Sequence, residues 1–286
     1  MIGARMWRFT TVWLALPLAA VCFGAEAAAA DRSCTMRVES ELFADDASEP
    51  VARSLTLFAN GVAWDFLELP AEAGGPGTEA DAQANESPAL RLAEIVLHDP
   101  ARQRVVVIDP RRDVKTQVET LRLERLSVSL ARWARGSDDR LVRWAGGPDF
   151  DAGLKEKEDA LELVGPRVRY AVAYHAAPSP AAAAVYREFA DTAILLKALL
   201  HPGGLPPFPR LALNRRLENA AAIPAEVTLE IDPKLSLLPG SSRLRCVHRL
   251  HPRLLAADGK RIEEAEARIA AAALVDVAAF ADRTGE

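Results

Sequence analysis

The densest grouping of chemically capable side chains is Cys246-Val247-His248-Arg249-Leu250-His251. On an extended strand alternate residues share a face, so Cys246 and His248 would stand side by side as a thiol and an imidazole. Two such ligands fall short of the three or four that a zinc-type site uses. The segment is therefore expected to hold no metal, with Cys246 pairing instead with Cys34 and the histidines closing a strand. No G-x-S-x-G, glycine-rich phosphate loop, H-E-x-x-H or C-x-x-C occurs, and each of those chemistries needs its own spacing. Gly240-Ser241-Ser242 has the composition of a turn rather than of a nucleophile elbow.

Paired carboxylates occur at Asp45-Asp46, Asp138-Asp139 and Glu263-Glu264, where solvated charge accounts for them. Asp65 falls opposite Thr56 in a hairpin, an ordinary cross-strand pair. Asp191 lies in mid-helix beside Phe189 and has two candidate arginines, Arg187 locally and Arg210 at a distance. None of these positions supplies the partners a catalytic site requires, so the sequence predicts no catalytic residues, no cofactor and a non-catalytic protein.

Strands and helices must position these residues. Asn60-Gly61 separates the alternating runs Ser54–Ala59 and Val62–Leu67, and Asn-Gly is the strongest short hairpin signal because both turn residues need positive φ. A two-residue turn pairs Leu57 with Trp64 and Leu55 with Phe66. Further strands are predicted over 35–43, at 94–98 and 104–108 around Asp99-Pro100, over 115–119, at 161–164 and 167–175, over 225–231 and over 242–250. Helical spacing joins Leu123, Leu126, Leu130 and Trp133 up to Gly136. Ser179-Pro180 supplies an N-cap and an N1 proline for a helix ending at His201-Pro202-Gly203-Gly204. Pro209 opens a shorter helix. Asp258 is expected to cap a long final helix with Ile262, Ile269, Ala273, Val277 and Phe280 on one side. Hairpins with helices inserted between groups of strands imply an α+β fold: a curved, largely antiparallel, half-barrel-like sheet with inserted helices and a long C-terminal helix. Residues 31–286 are read as a single domain. A Gly-rich, acidic stretch at 70–88 is read as a disordered excursion.

Two apolar surfaces remain. One is the hairpin face with Leu55, Leu57, Trp64 and Phe66. The other is the stretch from Ala270 to Ala281, which has Asp276 as its one charge and as a helix would need burial on several sides. A pocket between sheet and C-terminal helix is predicted, with Trp64 and Phe66 as an aromatic wall, Tyr170 and Val172 extending it, and Val277 with Phe280 closing it.

Composition narrows the classes. The 286 residues are 50% apolar and 26% charged, with a net charge of -5. That apolar fraction excludes disorder, and a mildly acidic chain lacks the basic footprint of a nucleic-acid binder. Arg5 and Arg8 precede an apolar run from Phe9 to Phe23, followed by Gly-Ala-Glu-Ala-Ala-Ala-Ala. This pattern predicts a signal peptide over 1–30, cleaved between Ala27 and Ala30; its apolar run is shorter than the roughly 20 residues of a membrane span. Val21 argues against Cys22 as a lipidation site. The mature chain is expected to have no transmembrane segment and to reside in the periplasm or outside the cell. Its two cysteines, Cys34 and Cys246, then suggest a disulfide, with buried thiols as the alternative.

Tyr186-Arg187-Glu188-Phe189-Ala190-Asp191 and Gly204-Leu205-Pro206-Pro207-Phe208-Pro209-Arg210-Leu211-Ala212-Leu213-Asn214 resemble a block of exported bacterial proteins of uncharacterised function. Leu57-Phe58-Ala59-Asn60-Gly61 and Ile108-Asp109-Pro110 fit the same resemblance. The layout is also similar to the half-barrels of periplasmic lipoprotein carriers (LolA-type), which curve an antiparallel sheet around an apolar cavity. That resemblance implies a lipid or lipoprotein partner. Three readings follow: a protein binding an apolar group or a lipoprotein tail in a concave sheet face, an envelope structural protein with a packed core, and a hydrolase with a dispersed site.

Overall fold

Asn60 and Gly61 both adopt positive φ, 53° and 77°, and close the hairpin between β2 (Ala52–Ala59) and β3 (Val62–Pro70). Leu57 faces Trp64, Leu55 faces Phe66 and Thr56 faces Asp65, the register a two-residue turn imposes. The structure is a computed structural model describing residues 34–70, 90–231 and 243–282. The predicted signal peptide and nearly all of the predicted excursion lie outside those residues. Pro70 belongs to β3, paired with Leu90.

The remaining strands are β1 (Met36–Ala44), β4 (Leu90–Asp99), β5 (Arg104–Asp109), β6 (Val114–Glu119), β7 (Leu154–Glu156), β8 (Ala160–Gly165), β9 (Val168–Ala176), β10 (Ala222–Ile231), β11 (Arg243–His251) and β12 (Ala273–Leu274). They form one open sheet in the order β12-β6-β5-β4-β3-β2-β1-β11-β10-β9-β8-β7. Every neighbouring pair is antiparallel except β12 with β6. The helices are α1 (Thr120–Arg135), α2 (Arg140–Ala145), α3 (Pro180–Leu200), α4 (Phe208–Asn219), α5 (Ala256–Ala271) and α6 (Val277–Ala281). This is the α+β fold with a curved, mainly antiparallel sheet that the sequence predicts.

Local chemistry accounts for most of the boundaries. Ser179 Oγ accepts from the Ala182 N–H at 3.1 Å and starts α3. Asp139, read from sequence as one of two solvated carboxylates, caps α2 by accepting from Leu141 and Val142 N–H. The Asp99 carboxylate turns the chain between β4 and β5, accepting from the Arg102 N–H and facing the Arg102 and Arg104 guanidinium groups.

Both faces of the sheet are covered. On one, α5 lays Ile262, Ala265 and Ile269 over Leu55, Leu57, Trp64, Phe66, Ile95 and Ile108. On the other, α3 crosses the middle of the sheet. Its first half packs Ala182, Tyr186 and Phe189 on Met36, Val38 and Phe58, and the Phe58 and Phe189 rings meet edge to face at 5.6 Å. Its second half packs Leu196 and Leu200, with Leu123 of α1 and Phe280 of α6, against Val96, Val105 and Val118. Beyond α3, Leu141 of α2 and Leu213 and Leu217 of α4 pack on β8 and β9. Burial on both sides explains why β5 reads as the near-continuous apolar run Val105-Val106-Val107-Ile108.

Two expectations are corrected. The C-terminal helix does not run to Phe280. It ends at Ala271, where the Lys115 ammonium donates to the Ile269 carbonyl, and Ala273–Leu274 then pairs with β6. Asp276 caps a separate α6 by accepting from the Ala279 N–H at 2.7 Å. The alanines that made this stretch look buried all round are small enough to lie exposed, as Ala271, Ala278 and Ala279 do. Asp258 stands inside α5 rather than at its cap and reaches back to the Leu255 N–H at 2.7 Å.

The predicted disulfide is also excluded. Cys246 faces Leu42 across β1 and β11, whereas Cys34 precedes the opposite end of β1, eight residues from Leu42. At about 3.3 Å per residue the two cysteines stand on the order of 25 Å apart, against a Cα limit of about 7 Å for a disulfide. They are not bonded to each other.

Candidate functional site: an apolar cavity between sheet and α3

Alternation along β10 and β11 decides which side chains meet. Glu226 and Glu230 of β10 pair with Arg245 and Arg243 of β11 on the face away from α3, at 3.5 and 3.7 Å. Period-two geometry then turns Val227, Leu229, Ile231, Leu244 and Cys246 toward α3. The register aligns them into cross-sheet rows, Leu42–Cys246–Val227–Val172 and Leu244–Leu229–Tyr170–Leu163.

The helices do not fill the space above these rows. A cavity of about 1080 Å³ lies there, floored by Leu42, Leu244, Cys246, Val227, Leu229, Ile231 and Tyr170. Ala193, Ile194, Lys197 and Ala198 of α3 form one side, and Leu126, Leu130 and Trp133 of α1 another, with Leu141 of α2 completing the wall. The connection from His201 to Pro207, with three prolines and Gly203 at φ 109°, arches from α3 to α4 and brings Arg210 into the lining. The mouth opens beside Trp133, which is 58% exposed, and the exposed residues His201, Pro202, Gly203 and Gly204.

Polar groups beside the cavity are mostly neutral or engaged. Burial pushes the Tyr170 hydroxyl up to about 12 and the Cys246 thiol up to about 11. His248 is driven down to about 3 by burial, with the nearby Arg210 and His175 adding to the effect. Its Nδ1 lies 2.8 Å from Ser40 Oγ. A thiol held protonated and an imidazole held neutral do not make an activated nucleophile. Lys197 Nζ lies 2.5 Å from the buried Glu94 carboxylate. Asp65 is half-buried, accepts from Ser54 Oγ and Thr56 Oγ1, and is raised above the usual carboxylate range chiefly by desolvation. Asp191 is raised by burial as well. Its Oδ2 takes Arg187, the local of its two candidate arginines, at 3.1 Å, and its Oδ1 takes Asn214 Nδ2 at 2.7 Å. Among the described residues no group of three His, Cys, Asp or Glu side chains is placed to hold a metal ion.

The six residues predicted to form one pocket are split three ways. Tyr170 lines the cavity, and Val172 is buried in the packed layer beside it. Trp64 and Phe66 lie on the opposite face of the sheet under α5, with the Arg261 guanidinium 4.9 Å from the Phe66 ring centre. Val277 and Phe280 pack against β4, β5 and β6, and Arg112 holds the Phe280 carbonyl at 2.7 Å. The cavity is therefore bounded by α3 and α1, not by the C-terminal helix. Val227, Leu229 and Ile231, which sequence reasoning did not single out, form its floor. Their signal was the alternation with Glu226, Thr228 and Glu230. Among the described residues no helix is long and apolar enough to cross a membrane. Compared with protein-family models and with curated proteins, the sequence gives no match.

Proposed function

We propose that the protein is an exported, non-catalytic binder of an apolar group, a lipid or the acyl tail of a lipoprotein, and that the cavity above β9, β10 and β11 receives it. The cavity carries this reading. Its volume of about 1080 Å³ lies just above the usual range of about 300–1,000 Å³ for ligand sites, and its floor and walls are mainly apolar, with Leu, Val, Ile and Ala side chains joined by Tyr170 and Trp133. Packed interiors leave few voids larger than a water molecule, so a space of this size is more than a packing defect. The N-terminal charge, apolar run and small-residue pattern support export. The likeness of layout to LolA-type half-barrels supports an acyl-bearing occupant.

The test is to extract the purified mature protein with organic solvent, identify released lipid by mass spectrometry, and titrate a neutral environment-sensitive acyl probe. Bound lipid, or saturable binding of the probe, is expected. Filling the cavity from either side, with Leu229→Trp or Ala198→Trp, should abolish probe binding while a cooperative melt is retained. A protein that yields no lipid, binds no probe at high micromolar concentration and ignores both substitutions is a packed structural protein instead.

A further inference from the structure

Two formally charged side chains, Lys197 and Arg210, line the cavity, and no carboxylate does. Lys197 is neutralised by Glu94. Arg210 forms no ion pair within 4 Å among the described residues, and its Nη1 is buried and meets no hydrogen-bond acceptor. Asp191 is close enough for its charge to be felt by Arg210, but its two oxygens already serve Arg187 and Asn214. Tyr170, Cys246 and His248 also lie in the field of Arg210, and all three are uncharged near neutral pH.

The place of Arg210 in its helix sharpens the point. It stands in the first turn of α4, whose N-cap is Pro207 without a side-chain cap, and that turn contains no acidic residue. That end of a helix carries partial positive charge, so a cation there is opposed by the dipole rather than assisted. A buried guanidinium donor without an acceptor is itself unfavourable. Both penalties vanish if an anion enters with the ligand, and the planar fork of arginine matches a carboxylate or phosphate through two parallel hydrogen bonds.

We infer that the occupant of the cavity is an acidic amphiphile, whose carboxylate or phosphate head pairs with Arg210 while its acyl chain lies along Leu229, Val227, Leu244 and Ile194. This rests on the apolar-ligand reading above and adds the chemistry of the head group.

The experiment compares palmitate, hexadecyl phosphate and hexadecanol as displacers of a neutral fluorescent probe, with acetate and inorganic phosphate as chain-free controls. Wild type should take the two acids at least about tenfold more tightly than the alcohol, as expected for charge-assisted hydrogen bonds. Arg210→Met should bring acids and alcohol to within about twofold of each other, and Arg210→Lys should restore part of the preference. Equal binding of acids and alcohol by wild type, or an acid preference that survives Arg210→Met, overturns the head-group assignment and leaves the apolar-ligand reading standing. If hexadecyl phosphate binds no better than inorganic phosphate, the site takes a free anion and the amphiphile is excluded. If none of the three long-chain compounds binds, both readings fall. Should Arg210→Met lose its cooperative melt, the wild-type preference between acid and alcohol decides alone.

Discussion

Lys197 on α3 and Glu94 on β4 meet at 2.5 Å across 103 residues of sequence, and the glutamate side chain is only 3% exposed. The pair fastens the second half of α3 to the sheet at one end of the cavity. Removing the lysine leaves a carboxylate with almost no access to water, whereas removing both members leaves apolar surface.

Lys197→Met is accordingly expected to destabilise the fold by about 3 kcal/mol. That is the lower end of the range for a broken buried pair, because the lysine itself is 42% exposed. Adding Glu94→Leu should recover most of the loss. Denaturant melts of the two variants check this, and a double variant no more stable than Lys197→Met would show that the pair itself is not the source.

Cys34 and Cys246 should both titrate as thiols in the unfolded, unreduced protein. In the native state Cys246 should alkylate slowly at pH 8, since burial holds its thiol up at about 11, and the rate should rise about tenfold per pH unit up to that value. A ligand in the cavity should protect Cys246 further, because the thiol forms part of the floor. Mass-spectrometric alkylation kinetics, with and without an acyl probe, measure both effects.

His248 sets an acid limit on stability. Its folded value of about 3 lies below the ordinary 6.5, so between those values the unfolded chain binds the extra proton and stability rises with pH. The contribution is complete above about pH 6.5 and is lost on acidification through about pH 3, at up to about 1.4 kcal/mol per pH unit. Asp65 acts in the opposite sense. Its raised value makes its contribution fullest at low pH and diminishes it as pH rises through the folded value. Comparing wild type with His248→Asn at pH 4, 5 and 7 isolates the histidine. The difference between the two should shift in favour of the variant as pH falls, and a constant difference would assign the acid limit elsewhere.

How far the sequence carried the reading depended on distance along the chain. The Asn60-Gly61 hairpin and its register were legible because a two-residue turn is local chemistry. The same holds for the Ser179 cap and for the strands either side of Asp99-Pro100. Which face Trp64 and Phe66 would turn toward a ligand was not legible, since β2 to β5 are covered on both sides and aromatic residues mark burial without saying by what. The cysteines failed for a related reason: Cys246 does lie on a strand, but Cys34 stands two residues before β1, and pairing arithmetic is blind to the register that puts them at opposite ends of β1. The break at Ala272 carries no glycine or proline, and its one local sign was Asp276 acting as a cap. Arg210 was legible as a candidate partner of Asp191. What the sequence could not show was that Arg187 and Asn214 would occupy that carboxylate first.

The seam between β1 and β11 also sets an order of events. Ser40 and His248, which face each other there, are 208 residues apart, and loop closure over that length makes such pairings slow to form. A chain emerging from synthesis has the partners for the β1–β6 ladder long before β11 arrives. Until then β1 is an open edge, and the floor beside Leu42 lacks Leu244 and Cys246. The pocket is thus among the last features to exist. Its completion coincides with closure of the strand edge most open to misassociation.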